Sequence, residues 1–257
     1  MISHLVGAGY TTMLLVKGLG YIVRRPRLKV TVRLAYDYCL KSLPVVSIVA
    51  LFSGMIISLQ TGIQMARYGQ EEFLGMLVAQ TFAREFGPFM TCIILVGTVV
   101  SAYAADLGTM TVSEETAALE VMSIDPIGYL ATPRILALTI MTFLLTACAD
   151  AIGIVGGAFV AKAQVGLPYK IFFDNALESL KGGEWFGVSR DIFGGLLKAG
   201  LTGTVIAAVG CSQGLRATGG ALGVGQAVRS AVIVSIVLIL VISYEFTWFV
   251  YRAFDSF

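Results

Sequence analysis

Five long apolar segments constrain the fold of this chain more than any other feature of its sequence. A helix needs about 20 apolar residues to cross the hydrocarbon core of a bilayer. Charged residues make up 13% of the chain, against about 25% in typical soluble domains, so polar groups cannot cover a water-facing surface. We therefore predict an all-α integral membrane protein with five transmembrane helices, at roughly 44–63, 86–105, 134–161, 192–211 and 230–251.

The first 43 residues differ in character from these spans. A mildly apolar stretch, residues 5–16, precedes a basic stretch that reads RRPRLKVTVR. A cleaved signal peptide has the reverse order, with its basic residues first. The observed order favours an amphipathic helix in the membrane interface, with basic side chains near anionic headgroups: Arg24, Arg25, Arg27, Lys29 and Arg33. We predict an interfacial region over 1–43 and a five-span domain over 44–257.

The distribution of lysine and arginine predicts the orientation of the chain. Residues 1–43 carry seven of these basic residues, whereas the loop 64–86 carries only Arg67 and Arg84. Cytoplasmic segments next to membrane spans are enriched in lysine and arginine, so the N-terminus should be cytoplasmic. With five spans, the C-terminus should then lie on the external side.

The loop 106–133, which this orientation places in the cytoplasm, contains acidic residues and no basic ones. Thr111 followed by Glu114 fits a capping box at a helix N-terminus, and Pro126 would end that helix. The predicted short helix, about 111–125, carries apolar and acidic side chains together: Glu114, Glu115, Leu119, Glu120, Val121 and Met122. That combination is typical of a helix that docks in a groove on another protein.

Residues 82–90 read FAREFGPFM and place Arg84 and Glu85 at the edge of the second span. An ionised side chain at the bilayer centre costs about 2.5–3.5 kcal/mol on insertion scales, so this pair should face a wet cavity near the outer leaflet. Consecutive helical residues point about 100° apart, so the two side chains need not pair with each other. Gly87 and Pro88 should kink a continuous helix rather than end it. A plain interfacial anchor is the alternative interpretation.

Asp150 lies in the middle of the third predicted span, within TACADAIGIVGG. An unpaired carboxylate is expensive at this depth. We therefore expect Asp150 to face the protein interior, where it is hydrogen-bonded to another helix or held neutral, and to serve structure more than transport.

Several function classes find no support in the sequence. There is no G-x-x-x-x-G-K-[ST] motif, so any ATP hydrolysis should belong to a separate subunit. His4 is the only histidine, and the four cysteines form no CxxC pair, so we predict neither an enzyme nor a metal site nor a cofactor. No basic run is interleaved with aromatic residues, which argues against nucleic-acid binding.

Four stretches resemble the MlaE/YrbE family of ABC-transporter permeases: REFGP, LGTMTVSEETAALEVMSIDPIGYLATPRILA, ADAIGIVGG and GGALGVGQAVRSAVIVSIVLILV. The resemblance covers most of the chain from about residue 50. It implies a homodimeric permease of the bacterial inner membrane that works with a cytoplasmic ATPase and a periplasmic MCE-domain lipid-binding protein. It also implies that the substrates are lipids, in particular phospholipids, which move between the inner and outer membranes.

The resemblance further implies roles for particular residues. The helix at about 111–125 becomes the coupling helix that contacts the ATPase, through Glu114, Glu115, Leu119, Glu120 and Met122. Arg84 and Glu85 become the polar part of a lipid pocket at the dimer interface. The apolar part of the lipid-binding set consists of Met55, Leu59, Leu77 and Val78.

The chain departs from the family pattern at two places. Thr98 follows Gly97 where many relatives have an arginine, and Ser243 stands where many have an aspartate. Glu245 is displaced from that second position by two residues, onto another face of the helix.

Without the resemblance, the charged residues of the spans would suggest a protein of another class. An ion-coupled secondary transporter or channel could use them as an ion path: Arg84, Glu85, Asp150 and Lys198. A co-purifying ATPase would support the permease, whereas ion-coupled flux by this chain alone would support the alternative.

Overall fold

The computed structural model describes residues 2–24, 27–181, 184–185 and 188–254. This part of the chain is helical except for connecting turns and one antiparallel hairpin, in which β1 (Glu184–Trp185) pairs with β2 (Val188–Ser189). A 3-10 turn, Glu71–Phe73, precedes the third helix. The α-helices are α1 (Ile2–Arg24), α2 (Leu28–Tyr68), α3 (Leu74–Thr81), α4 (Gly87–Leu95), α5 (Ser101–Val112), α6 (Glu115–Val121), α7 (Thr132–Val160), α8 (Tyr169–Lys181), α9 (Arg190–Gly214) and α10 (Gly220–Phe254).

Within the described residues, five helical runs are long and apolar enough to cross a membrane: Leu28–Tyr68, Glu71–Val112, Ile127–Val165, Asp191–Gly214 and Gly220–Val250. The predicted all-α membrane fold with five transmembrane helices is thus confirmed. The runs have 24 to 42 residues. They extend beyond the predicted spans because a helix satisfies its own backbone hydrogen bonds and can continue past the apolar stretch.

The predicted boundary of the interfacial region, at residue 43, lies within a continuous helix. The sequence predicts an interfacial region over 1–43, but α2 runs without a break from Leu28 and so includes Lys29 and Arg33. Basic side chains are tolerated at the end of a membrane helix, because their apolar stems allow the charged ends to reach water. Arg25 lies outside the described residues. The region therefore comprises α1 and the start of α2.

The described residues include four π-helical segments: Phe82–Phe86, Val96–Val100, Ile127–Ala131 and Ala161–Val165. The first two interrupt a helical run, the third precedes α7 and the fourth follows it. Such segments are frequent at functional sites. The first lies directly before Gly87 and Pro88, and the helix continues through both residues into α4. The prediction that the helix does not end at Gly87 and Pro88 is confirmed.

The chain divides into two compact units, of which the first consists of Met1–Ser42, Cys92–Met141 and Gly200–Phe257. In this unit α10 packs along α5, and α1 packs against the third π-helical segment. A Cβ atom at Gly108 of α5 would lie 3.3 Å from Val224 of α10. A small residue thus permits the close approach of two membrane helices, as is usual in lipid.

The second unit consists of Leu43–Thr91 and Thr142–Ala199. In it, α3 packs against α8 around a core of apolar side chains: Leu74, Val78, Phe82, Ala158, Ala161, Leu167 and Phe172. A Cβ atom at Gly54 of α2 would collide with the Gly153 carbonyl group of α7, and one at Gly153 would collide with the Phe82 ring. Phe82, the first residue of the π-helical segment Phe82–Phe86, is therefore closely packed against α7.

Candidate functional site

Arg84 and Glu85 lie in the π-helical segment Phe82–Phe86 of the second unit, and the structure gives both of them partners on α9. Arg84 contacts Asp191 in the first turn of α9. The Arg84 Nε atom lies 2.7 Å from Asp191 Oδ1, and Nη2 donates to Oδ2 over 3.0 Å. The hydrogen bond from Nη2 and the close approach of Nε to Oδ1 make this a charge-assisted ion pair. Arg84 therefore joins the start of α9 to the π-helical segment.

Glu85 pairs with Lys198, about two helical turns further along α9. The Lys198 ammonium group donates to Glu85 Oε2 over 2.5 Å. Only 2% of the Lys198 side chain is exposed, against 41% for Glu85. Removing an ammonium group from water is costly unless an acceptor of opposite charge lies close to it. Glu85 therefore neutralises a cation that α9 carries inside the protein.

We refer to Arg84, Glu85, Asp191 and Lys198 as the ion-pair cluster. Sequence reasoning identified Arg84 and Glu85, and it considered Lys198 only for the alternative ion path. It missed Asp191, because an acidic residue in the first turn of a helix already has a local explanation in the helix dipole. The signal that could have found it is the need of Arg84 for an acidic partner.

Gly195 lies between Asp191 and Lys198 on α9 and allows the helices to approach. A Cβ atom at Gly195 would collide with the Ala83 carbonyl oxygen and would lie 3.4 Å from Pro88. Glycine is the residue that permits such close backbone contact. This contact brings α9 near enough to the π-helical segment for both ion pairs to form.

Asp150 of α7 contacts the same helical run at Gly87. A Cβ atom at Gly87 would collide with Asp150 Oδ1. Asp150 is 7% exposed, and neither carboxylate oxygen has a hydrogen-bond partner among the described residues. The prediction that Asp150 faces the protein interior is confirmed, whereas a hydrogen bond to another helix is not found in that part of the chain. Burial without a partner is costly for a carboxyl group, so the fit to Gly87 constrains both residues.

The apolar residues of the predicted lipid site differ in exposure. Leu59 of α2 is exposed, and Met55 and Leu77 are half-buried. Val78 is fully buried in the core of the second unit. The Val78 side chain therefore reaches no surface at which it could contact a lipid in this conformation, whereas the other three do.

The predicted docking helix begins later than the sequence suggests. The structure shows α6 over Glu115–Val121, about two turns rather than three, because α5 continues to Val112. The predicted capping box is wrong. The Thr111 hydroxyl group donates to the Leu107 carbonyl oxygen within α5, over 2.8 Å, and Glu114 precedes α6 in a left-handed conformation. A threonine inside a helix commonly satisfies its hydroxyl group in this way.

Pro126 does not end α6, which is a second correction. The helix ends at Val121, and Ser123 takes a positive φ of 61°. Pro126 instead precedes the next helical run, where its missing amide hydrogen costs nothing. The five residues of the predicted coupling set remain on or beside α6, and none of them is buried: Glu114, Glu115, Leu119, Glu120 and Met122.

The turn after α6 is joined to the N-terminal helix. The Tyr21 hydroxyl group donates to Asp125 Oδ2 over 2.8 Å, and Asp125 Oδ1 accepts a hydrogen bond from the Ile127 amide over 3.0 Å. The Arg27 guanidinium carbon lies 3.8 Å from the centre of the Tyr129 ring, in a cation–π contact. A partner bound to α6 would therefore lie close to the contacts between the following turn and α1.

Comparison with known proteins bears on the family of this chain. The sequence profile described as Permease MlaE matches residues 31–249, which is most of the chain. A chloroplastic protein of Arabidopsis thaliana named trigalactosyldiacylglycerol 1 is 35% identical over 212 residues. That match covers 82% of this chain and only 59% of the plant protein.

Two bacterial relatives are each named as a probable ABC transporter permease protein. The Synechocystis protein is 32% identical over 212 residues, which cover 82% of this chain and 78% of the relative. The Rickettsia felis protein is 36% identical over 206 residues, which cover 80% and 77%. These names favour a permease over the ion-coupled transporter or channel. The chain is therefore an ABC-transporter permease subunit that belongs to the MlaE family.

Proposed function

We propose that this permease moves lipids, with phospholipids as its substrates, between the inner and outer membranes of a bacterium. The observation that carries the proposal is the ion-pair cluster, which leaves Arg84 and Glu85 partly exposed on a membrane helix. Apolar side chains that are also partly exposed lie in the same unit: Met55, Leu59 and Leu77. A phospholipid requires both kinds of surface, because its headgroup is charged and its acyl chains are apolar. The Arabidopsis relative is named after a glycolipid, which supports a lipid substrate.

The proposal includes three partners. A cytoplasmic ATPase supplies the energy and docks on α6 through the predicted coupling set. A periplasmic MCE-domain protein exchanges lipid with the permease on the external side. A second copy of this chain completes the lipid pocket at a dimer interface. In this arrangement the N-terminus is cytoplasmic and the C-terminus is periplasmic.

A photocrosslinking amino acid at position 85 tests the lipid site in intact membranes. We expect it to capture phospholipid, and we expect Arg84→Ala to reduce both the capture and the transport of lipid. The control is the same crosslinker at Leu144, an exposed residue of α7 in the second unit. If both positions capture the same lipids, and if Arg84→Ala and Glu85→Lys transport normally, the pair is only an interfacial anchor.

A further inference from the structure

The ion-pair cluster has no net charge. Arg84 and Lys198 contribute two positive charges, and Glu85 and Asp191 contribute two negative ones, within two ion pairs. A ligand that carries only negative charge therefore gains little from the cluster as a whole. If Asp150 were ionised beside Gly87, it would add negative charge to the same unit and would oppose such a ligand further.

The two ion pairs expose one group of each sign. The exposed fraction is 38% for the Arg84 side chain and 41% for Glu85, but only 16% for Asp191 and 2% for Lys198. A headgroup that approaches the cluster thus meets a guanidinium and a carboxylate on consecutive residues. Asp191 and Lys198, the less exposed partners, lie seven positions apart on α9, or about 10 Å along the helix. They therefore hold the Arg84 and Glu85 side chains at different heights along α9.

Glu85 cannot be exchanged for an anionic ligand at low cost. If a phosphate group displaced the Glu85 carboxylate, the buried ammonium group of Lys198 would lose the ion pair that it makes with Glu85. Arg84 is different, because a guanidinium group has five N–H donors and can bind a phosphate while it keeps a carboxylate partner. The Glu85 carboxylate can likewise accept a second cation on its exposed side.

A headgroup with both a phosphate and an ammonium group matches this arrangement. The phosphate would contact Arg84, and the N–H donors of a primary ammonium group would contact Glu85. Given the proposed function, we infer that the cluster selects zwitterionic phospholipids with a primary ammonium group over anionic phospholipids of the same acyl chains.

The test compares two photoactivatable lipids with identical acyl chains, phosphatidylethanolamine and phosphatidylglycerol. Each lipid is added at the same concentration to the permease, which is purified as a complex with its ATPase. Mass spectrometry measures the label on the peptide that contains residues 77–90. We expect phosphatidylethanolamine to label this peptide more strongly by about three- to tenfold, which is the range for the net contribution of one typical hydrogen bond.

Two variants test whether Glu85 causes the preference. Glu85→Gln should bring the labelling ratio close to one, but it removes the carboxylate that pairs with the buried Lys198 and can impair folding. The double variant Glu85→Gln with Lys198→Met removes the whole ion pair and avoids this problem, and it should also bring the ratio close to one. Glu178→Gln is the control, because it removes an exposed carboxylate from α8 in the same unit. It should leave the ratio unchanged.

The outcomes separate this inference from the proposed function. Equal labelling by both lipids in the unmodified protein would refute the headgroup selection but leave the proposed lipid site unaffected. An unchanged preference in the double variant would have the same meaning. No labelling of residues 77–90 by either lipid would instead overturn the lipid site itself. A preference that disappears in the double variant and persists in Glu178→Gln supports the inference.

Discussion

At the scale of single residues, the second unit depends on glycines that face polar groups of neighbouring helices. Gly87 leaves room for the Asp150 carboxylate, and Gly195 leaves room for the Ala83 carbonyl group. Gly87 directly follows the π-helical segment that carries Arg84 and Glu85, and Gly195 lies between Asp191 and Lys198 on α9. A side chain at either position should therefore displace Arg84 and Glu85 from their partners.

The contact between Gly87 and Asp150 leads to a prediction about stability. Gly87→Ala should lower the free energy of unfolding by about 1–3 kcal/mol, because the added methyl group collides with the carboxylate. Gly87→Ala combined with Asp150→Ala should be more stable than Gly87→Ala alone, since the collision is removed. Thermal unfolding of the purified protein in detergent measures both effects.

Gly97→Ala is the control for this prediction, because nothing lies within 4 Å of a Cβ atom at that position. It should change stability much less than Gly87→Ala does. If the destabilising effects of Gly87→Ala and Asp150→Ala simply add, the two residues are not in contact.

At the scale of secondary structure, α6 is the element whose surface lacks an evident use within the chain. Its residues are not buried, and Val121 at its end and Met122 directly after it are largely exposed. A connector between two membrane helices needs no such apolar surface. A hydrogen bond from Tyr21 of α1 to Asp125 joins the turn after α6 to the N-terminal helix, so a partner bound to α6 would also act on α1.

Charge reversal on α6 should release the ATPase. Glu115 and Glu120 are both exposed, so changing them together to lysine should not impair folding. We expect the ATPase to be lost from the purified complex, with lipid-dependent ATP hydrolysis reduced at least about tenfold, because like charges across an interface are strongly unfavourable. Pull-down of the ATPase with the tagged permease provides the measurement.

A matched control makes the same change of charge on α8. Asp174 and Glu178 are exposed there, and their joint replacement by lysine should leave the ATPase bound. A complex that survives the α6 change with normal ATP hydrolysis would show that α6 is not the docking element.

At the scale of the whole molecule, the odd number of candidate spans predicts that the two ends of the described chain lie on opposite sides of the membrane. The basic residues before the first span favour a cytoplasmic N-terminus. Alkaline phosphatase folds only outside the bacterial cytoplasm because it needs disulfide bonds. Fusion of this enzyme after α10 should therefore give an active enzyme.

A truncated fusion serves as the control for the orientation. Phosphatase attached after Ala217, in the turn between α9 and α10, should be inactive because one span is missing. The opposite pattern of activities would show that the orientation is the reverse of the predicted one. In that case α6 would lie outside the cell, where no ATPase could reach it.

The sequence by itself determined the fold class and the family. The apolar length of a segment is a local property, and a segment inside a bilayer must be helical because its backbone groups have no other partners. The continuous helix through Gly87 and Pro88 could be predicted for the same reason. The capping prediction failed for Thr111. Its hydroxyl group could accept a hydrogen bond from a backbone amide as a helix cap, or donate one to a carbonyl oxygen within α5. The sequence pattern alone does not distinguish these two possibilities.

Only the tertiary structure decided the partners of the charged residues. Arg84 and Asp191 are 107 positions apart in the sequence, and Glu85 and Lys198 are 113 apart. Such pairs depend on which faces of two helices meet, and that in turn depends on close contacts such as the one between Gly195 and Ala83. The burial of Lys198 also arises from this packing, because the desolvation of a charge depends on everything that surrounds it in three dimensions.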